Sequence, residues 1–253
     1  NRADMDGFSI ATASGMRSRL ESLDLLANNL ANARTAGYKM DREFYNIYQS
    51  EEAAIAAAEI EDPRALALPV IQSHFTDFTQ GPLESTGNPY HVALSGPGFF
   101  AVESPGGTLY TRNGGFRVSE EGRLVTTEGY QVRMQGSAPV TIPPGADIQI
   151  NAQGEIVQEG LVLGQLEIAD FPNRNTIGKA GDTYYRIVEE GAVPAQARNY
   201  QVVQGSLESS NVSAPESSVR LIHIMRQFET LQKALTQNRE ATRRAVEELA
   251  SPS

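Results

Sequence analysis

Residues 13–32 read ASGMRSRLESLDLLANNLAN, and the apolar residues of this stretch recur at spacings of three and four. The stripe consists of Ala13, Met16, Leu20, Leu23, Ala27 and Leu30. This spacing is typical of a helix that packs lengthwise on another helix. A longer stripe near the C-terminus continues the alternation through Leu221, Ile224, Phe228, Leu231, Leu235, Asn238, Thr242, Ala245 and Leu249. Because neither stripe can be buried by its own helix, the pattern predicts that the two terminal helices form a coiled-coil-like pair.

Residues that favour helix ends mark the boundaries of both helices. The first helix is expected to run from about residue 6 to Asn32, and Gly37 is expected to supply a left-handed turn beyond it. The segment Ser213–Glu216, with the sequence SAPE, fits a capping box with a proline in the first turn. The second helix is therefore expected to begin there and to end near Ala250.

Between the helices, from Gln80 to about Val203, the apolar period changes to two and turn residues become frequent. Short strands such as Phe99–Val102 alternate with glycine turns such as Glu121-Gly122. Many short strands at close spacing predict a compact, mainly antiparallel β-domain. The expected fold class is therefore α+β, in which long N- and C-terminal helices form a coiled-coil-like pair around a central β-domain.

The chain is expected to divide into four segments. These are an N-terminal helix with its signature (1–37), a connector (38–79), a β-rich body (80–205) and a C-terminal helix (206–253). The connector contains an Ala/Glu-rich stretch at 51–60, which predicts that it is partly helical. Its length exceeds that of an ordinary loop.

Composition excludes several classes of function. The formal charge of −10 disfavours a nucleic-acid partner, because binding to phosphates needs a clustered basic face. The absence of cysteine excludes disulfides, thiolate metal sites and a cysteine nucleophile. No stretch approaches the roughly 20 apolar residues of a spanning helix, and the first 15 residues lack a secretory pattern. We therefore expect neither direct membrane insertion nor a cleaved signal peptide.

The sequence also lacks the common catalytic and metal-binding patterns. The three histidines, His74, His91 and His223, lie far apart and have no partner at metal-ligand spacing. The hydrolase motif Gly-x-Ser-x-Gly is absent, and the glycine-rich turns lie within hairpins instead of between a strand and a helix. We therefore expect no enzyme activity, no cofactor and no metal site.

Four stretches resemble the signatures of one family. Residues 27–39, ANNLANARTAGYK, resemble the N-terminal signature of the bacterial flagellar rod and hook proteins. The other three follow in order: QGPLESTGNP at 80–89 with GPGFF at 96–100, YTRNGGF at 110–116, and QGSLESSNV at 204–212. Together these stretches are spread over most of the chain.

The resemblance implies a structural subunit of the flagellar basal-body rod that polymerises helically through its terminal helices. In that role it would form part of the drive shaft and enclose the export channel. The implied partners are further copies of the chain, other rod proteins, the surrounding rings and the export apparatus. The implied location is the rod that spans the periplasm. Chain length and residues 163–171 and 177–181 resemble the proximal-rod member most, with a distal-rod or hook protein as the alternative.

The residues expected to mediate assembly lie in the helices and the signatures. Those of the apolar stripes are Leu20, Leu23, Leu30, Ile224, Phe228, Leu231 and Leu235. Asn238 lies in the C-terminal stripe, where it either fixes the register between packed helices or faces the lumen of the tube. The signatures add Asn28, Asn29 and Asn32 at a helix end, Gly37 in the following turn and Asn211 before the second helix. Amides at a helix end can either cap freed carbonyls or contact adjacent chains.

A different class of function remains open on the residues alone. The β-rich body is compatible with a carbohydrate-binding or glycosidase-like domain carried on a coiled-coil stalk. That function requires either two carboxylates roughly 5 to 10 Å apart in a cleft or an aromatic platform. The absence of tryptophan disfavours the platform.

Overall fold

The structure of the chain is a computed structural model that describes residues 2–48, 68–136, 140–143 and 147–250. It divides into two compact units. The first unit comprises Asn1–Ala31, Asp41–Asp77 and Ser213–Ser253, and the second comprises Asn32–Met40 and Phe78–Val212. The short segment 32–40 therefore belongs to the second unit, although the chain on both sides of it belongs to the first.

The first unit contains both long helices and one hairpin. Helix α1 covers Arg2–Ala31 and helix α2 covers Ala214–Ala250. Strand β1, Asp41–Tyr48, pairs antiparallel with strand β2, Leu68–Thr76. Helix α1 lies against both α2 and β2. The connector was expected to be partly helical, but its described part forms this hairpin; the Ala/Glu-rich stretch 51–60 lies outside the described residues.

The buried face of α1 is not the predicted apolar stripe. The buried side chains in its described second half are Ser18, Ser22, Leu26 and Asn29. By contrast, Leu20 at the centre of the predicted stripe is 47% exposed. This half of the helix therefore buries mainly small and polar side chains together with Leu26, and strand β2 as well as α2 packs against the helix.

The expected fold class was therefore wrong. The described residues form two α-helices and eighteen strands, so the fold is mostly β. The terminal helices do not form the expected coiled-coil-like pair, because the predicted seam of α1 is partly exposed and a hairpin shares its packing surface. Helical periodicity identified both helices, but it did not identify the face that α1 buries.

The second unit is built of short strands. Strands β3 to β9 are Leu83–Ser85, Val92–Ser95, Phe99–Ser104, Gly107–Thr111, Arg117–Val118, Leu124–Val125 and Gln131–Val132. Strands β10 to β18 are Gln149–Ile150, Glu155–Gln158, Leu161–Gln165, Ile168–Asp170, Ile177–Lys179, Tyr184–Ile187, Ala195–Gln196, Gln201–Gln204 and Ser206–Glu208, and a 3-10 turn covers Arg174–Thr176. The largest sheet has the order β14-β15-β6-β5-β9-β8-β7, with β13 between β5 and β16. Its described pairings are antiparallel, as expected for the body.

Strand β5 explains why the second unit has two hydrophobic clusters. Successive side chains of a strand point to opposite faces of its sheet. Phe100 and Val102 accordingly pack in a large cluster on one face, while Phe99 and Ala101 pack in a smaller aromatic cluster on the other. Burial on both faces accounts for the continuous apolar run FFAV, which alternation alone would not predict.

Candidate assembly site

The end of α1 is joined to the hairpin by one asparagine. The Asn29 side chain is buried, its Nδ2 donates to the Asp41 carbonyl at 2.8 Å, and its Oδ1 accepts from the Asp41 amide at 3.0 Å. Its neighbour Asn28 is exposed, and the Asn32 side chain accepts from the Thr35 hydroxyl at 3.0 Å. Asn29 and Asn32 therefore both act within the chain, and Asn29 holds the start of β1.

Gly37 occupies a position that only glycine fits. Its φ of 72° lies in the left-handed region, as the sequence predicted. A Cβ at this position would stand 2.3 Å from the Asn113 amide nitrogen. The Gly37 amide donates to the Glu208 carbonyl at 2.7 Å. The turn thus brings the backbone of the N-terminal signature directly against two other signature stretches.

Two residues beyond this turn, a lysine is fully buried. The Lys39 ammonium donates to Glu208 Oε1 at 2.5 Å and to the Thr79 carbonyl at 2.7 Å. The same carboxylate oxygen accepts from the Gly81 amide at 3.0 Å. Neither charged side chain has solvent-exposed area. Such a pair is held because each group would be costly to bury without its partner.

A second cation shares this carboxylate. Arg112 Nη1 lies 3.3 Å from Glu208 Oε2, and Nη2 donates to the Gly96 carbonyl at 2.8 Å. The guanidinium also lies 5.3 Å from the centre of the Phe99 ring. Burial lowers the pKa of Arg112, and the charge of Glu208 acts in the opposite direction. Two cations therefore contact one buried carboxylate.

Asn211 completes the attachment of the N-terminal signature. Its Oδ1 accepts from the Met40 amide at 2.8 Å, and its Nδ2 lies 3.2 Å from the Thr79 carbonyl. The structure thus brings two of the sequence-predicted site residues, Gly37 and Asn211, to the same junction. Sequence analysis placed Lys39, Arg112 and Glu208 within the signatures and assigned them no role. The sequence signal that could have identified them is that each is a charged residue within a stretch of small and polar residues.

The apolar stripe of α2 is only partly buried. Ile224 is 4% exposed, whereas Phe228, Leu231 and Leu235 are half-buried. The side chain of Asn238 lies outside the described residues. On α1, Leu23 and Leu30 are half-buried. These residues contribute to packing inside the first unit, and none of them except Ile224 is fully enclosed.

Helix α2 also carries an exposed apolar row that the stripe did not include. Val219 is 69% exposed, Ile222 53% and Met225 48%. These residues are three apart, so they lie along one side of the helix. Exposed apolar residues that occur singly are ordinary, but a contiguous row is typical of an interaction surface. This row, Val219, Ile222 and Met225, is called the α2 row below.

One cavity of the second unit does not match glycosidase chemistry. It has a volume of about 330 Å³, and its lining includes Gln135, Gln196 and a single carboxylate, Glu167. That carboxylate is held 3.0 Å from Arg133 Nε. A glycosidase site needs two carboxylates across the cleft. This cavity therefore lacks the arrangement that the alternative function requires.

The described part of the chain lacks two further features. Within it, no group of His, Asp and Glu side chains could hold a metal ion. Neither of the two described helices combines the length and hydropathy needed to cross a membrane.

Comparison with known proteins identifies the family. Residues 93–158 match the family described as "Flagellar hook protein FlgE/F/G D1 domain", and residues 203–248 match "Flagellar basal body rod FlgEFG protein C-terminal". The chain is 34% identical to the flagellar basal-body rod protein FlgF of Caulobacter vibrioides, over 90% of this chain and 91% of the relative. It is 35% identical to the rod protein FlgG of Agrobacterium fabrum, over 88% and 92% respectively. It is 29% identical to FlgG of Bacillus subtilis, over 92% and 95%. The chain belongs to the family of flagellar basal-body rod proteins.

Proposed function

We propose that this chain is a structural subunit of the flagellar basal-body rod, in which it polymerises helically and helps to enclose the export channel. The observation that carries the proposal is the α2 row, which leaves large apolar side chains in water. Fully burying one such side chain stabilises by about 1.5 to 3 kcal/mol. Because the three side chains are 48 to 69% exposed, a second copy that covered the row would gain about half to two thirds of this contribution at each of them.

The contact must be heterologous for a filament to grow. In such a contact, one surface of a subunit binds a different surface of the next subunit. The result is an open helical array when the rotation from one subunit to the next does not close a ring. Leu20, which is 47% exposed on α1, and Phe75, which is 48% exposed on β2, provide further apolar area on the first unit. These residues lie outside the α2 row, so they are candidates for the complementary surface.

The same proposal places the subunit in the basal body, with other rod proteins, the surrounding rings and the export apparatus as its partners. We further propose the proximal position in the rod. Support comes from the resemblance of 163–171 and 177–181 to the proximal member. The relatives named FlgF and FlgG match at similar identity, 34% and 35%, and are compatible with either position. Complementation separates the proximal position, that of FlgF, from the distal position, that of FlgG. The chain is expected to restore swimming in a strain that lacks FlgF and not in a strain that lacks FlgG.

The assembly experiment uses the full chain and a matched pair of variants. Ile222→Asp introduces a charge into the α2 row, while Val193→Asp introduces one at an 83% exposed valine of the second unit. On concentration, the wild-type chain and Val193→Asp are expected to form filaments in electron micrographs, and Ile222→Asp is expected to stay monomeric by sedimentation. Filaments of unchanged yield from folded Ile222→Asp would refute the role of the α2 row.

A further inference from the structure

One dipeptide of the second unit combines a reactive sequence with an enclosed position. Asn113-Gly114 is the single Asn-Gly pair of the sequence. In such a pair the backbone nitrogen of the glycine, after losing its proton, can attack Cγ of the asparagine side chain. A five-membered succinimide forms, ammonia leaves, and water then opens the ring to give aspartate or isoaspartate. Glycine favours this reaction because it has no side chain to obstruct the attack.

The structure holds Gly114 against strand β4. Gly114 is buried, and its carbonyl accepts from the Val92 amide at 3.0 Å and from the Phe116 amide at 2.8 Å. A Cβ on Gly114 would stand 1.6 Å from the Val92 carbonyl oxygen and 3.2 Å from the Phe100 ring. Because every other residue carries a Cβ, position 114 requires glycine.

The side chain of Asn113 also has a structural contact. Its Oδ1 accepts from the Gly115 amide at 2.9 Å, and Gly115 forms an antiparallel bridge with His91. A donor on Oδ1 stabilises the negative charge that the attack places there, so this contact alone would assist the reaction. Ring closure, however, brings Cβ of Asn113 into the plane of the following peptide bond, a rotation that ordinary residues avoid. That rotation would displace Gly114 from the two amides that its carbonyl binds.

The isoaspartyl product fits the structure less well than the aspartyl product. In isoaspartate the main chain runs through Cβ and Cγ, which adds one carbon, about 1.5 Å of chain, before Gly114. Gly114 would then have to shift where the space beside Val92 does not admit even a Cβ. Aspartate keeps the length of the main chain, and its carboxylate can still accept from the Gly115 amide.

We propose that Asn113-Gly114 is a deamidation site that the folded second unit protects and the unfolded chain exposes, and that the isoaspartyl product destabilises this unit. The space beside Val92 requires glycine at 114, and the Gly115 amide is bound by the Asn113 side chain. The fold thus uses both residues of a chemically labile pair and protects the pair once it has formed. The proposal does not depend on the assembly function.

The first test measures deamidation of the full chain in mildly alkaline buffer, both folded and unfolded in guanidinium chloride. Trypsin releases peptide 113–117, and mass spectrometry follows the conversion of its amide to a carboxyl. The rate in the folded chain is expected to be at least about tenfold below that in the unfolded chain. Equal rates in the two states, or a faster rate in the folded chain, would overturn the proposal.

The control variant for this test is Glu190→Asn. It creates an Asn-Gly pair in an exposed turn, where a Cβ on Gly191 would have no atom within 4 Å. That pair is expected to react in the folded chain at a rate within about threefold of its rate in the unfolded chain. Protection of this pair as strong as that of Asn113 would also overturn the proposal, because enclosure of Gly114 would then not be the cause.

The second test concerns the isoaspartyl product. Chains aged while unfolded are transferred to urea at the concentration at which half of the wild type is folded, and brief proteolysis removes the unfolded chains. Chromatography against synthetic peptides then identifies isoaspartate at 113, which is expected to be depleted by about fivefold or more among the surviving chains. An equal proportion of isoaspartate before and after proteolysis would contradict the proposal.

The Asn113→Asp variant separates the added carbon from the added charge. Its surviving fraction in the second test is expected to stay within about threefold of that of the wild type. A loss as large as that of the isoaspartyl chains would assign the effect to the charge and overturn the proposed role of the lengthened main chain.

Discussion

Asn29 and Asp41 exchange two hydrogen bonds across twelve residues of sequence, with the Asn29 amide replacing a strand partner for the Asp41 backbone. This contact joins the last turn of α1 to the first residue of β1. Residues 32–40, which lie between these two residues in sequence, belong to the second unit, so the Asn29–Asp41 contact lies where the chain leaves and re-enters the first unit.

Asn29→Ala is expected to destabilise the first unit by about 1 to 3 kcal/mol, because a backbone donor and acceptor of Asp41 lose their partners. The control is Asp24→Ala, at an exposed position five residues earlier on the same helix. Its cost is expected to be smaller, about 0.5 kcal/mol. Urea unfolding of both variants, followed by far-ultraviolet circular dichroism, measures the difference. Equal costs would show that the Asp41 bonds contribute little.

Gly37→Ala separates close approach from backbone strain. Its added Cβ would meet the Asn113 backbone at 2.3 Å, whereas Gly87 has a similar φ of 69° and no atom within 4 Å of the equivalent position. Gly87→Ala is expected to cost about 1 kcal/mol from strain alone. Gly37→Ala is expected to cost about 2 kcal/mol more and to weaken filament assembly. Comparable losses in the two variants would mean that the turn can move away from Asn113.

At Gly114 the backbone of strand β4 lies close by, and the φ of this glycine is not positive, so a substitution here tests the steric effect alone. A Cβ there would lie 1.6 Å from the Val92 carbonyl oxygen, at a site where the Gly114 carbonyl also accepts from the Val92 amide. Gly114→Ala is therefore expected to destabilise the second unit by about 3 kcal/mol or more. Gly106→Ala, whose nearest atom would be 3.9 Å away, is the control and should leave the melting temperature within about two degrees.

The sequence predicted secondary structure better than it predicted packing. Periodicity identified a helix at each end, and α2 begins at Ala214, directly after Ser213 of the predicted capping box. It assigned the wrong face to α1, because Ser18 and Ser22 are buried and neither belongs to the apolar stripe that was expected to be buried. Small polar residues carry no apolar periodicity, so the packing of a hairpin against them cannot be inferred from a heptad pattern.

The candidate site was predictable only in part, for a related reason. Gly37 was identified because a left-handed turn after a helix is a local requirement. The Lys39–Glu208 pair joins residues 169 positions apart, and no local pattern indicates which lysine will meet which glutamate. The signatures located both residues without revealing that they touch. Long-range charge pairing of this kind requires the fold.

Alkaline pH provides a test of the second unit through Tyr184. Its hydroxyl donates to the Glu128 carboxylate, and burial, followed by this hydrogen bond, raises the pKa of Tyr184 above its ordinary value of 10.0. Below pH 10 the hydroxyl is protonated in both the folded and the unfolded chain, so its contribution to stability is complete. Above pH 10 the unfolded chain loses this proton while the folded chain keeps it, and stability must fall as pH rises.

The Tyr184→Phe variant removes that proton and should flatten the decline. Between pH 10 and 11.5, the free energy of unfolding of the wild type is expected to fall by up to about 1.4 kcal/mol more per pH unit than that of the variant. Burial also raises the pKa of Tyr110 and Tyr200, so the variant keeps some dependence. Urea unfolding at three pH values gives, for each protein, the slope of the free energy of unfolding against pH. The variant lacks the Tyr184 hydrogen bond at every pH, so this loss shifts its free energy of unfolding without changing the slope. Parallel slopes would mean that Tyr184 ionises in the folded chain as readily as in the unfolded one.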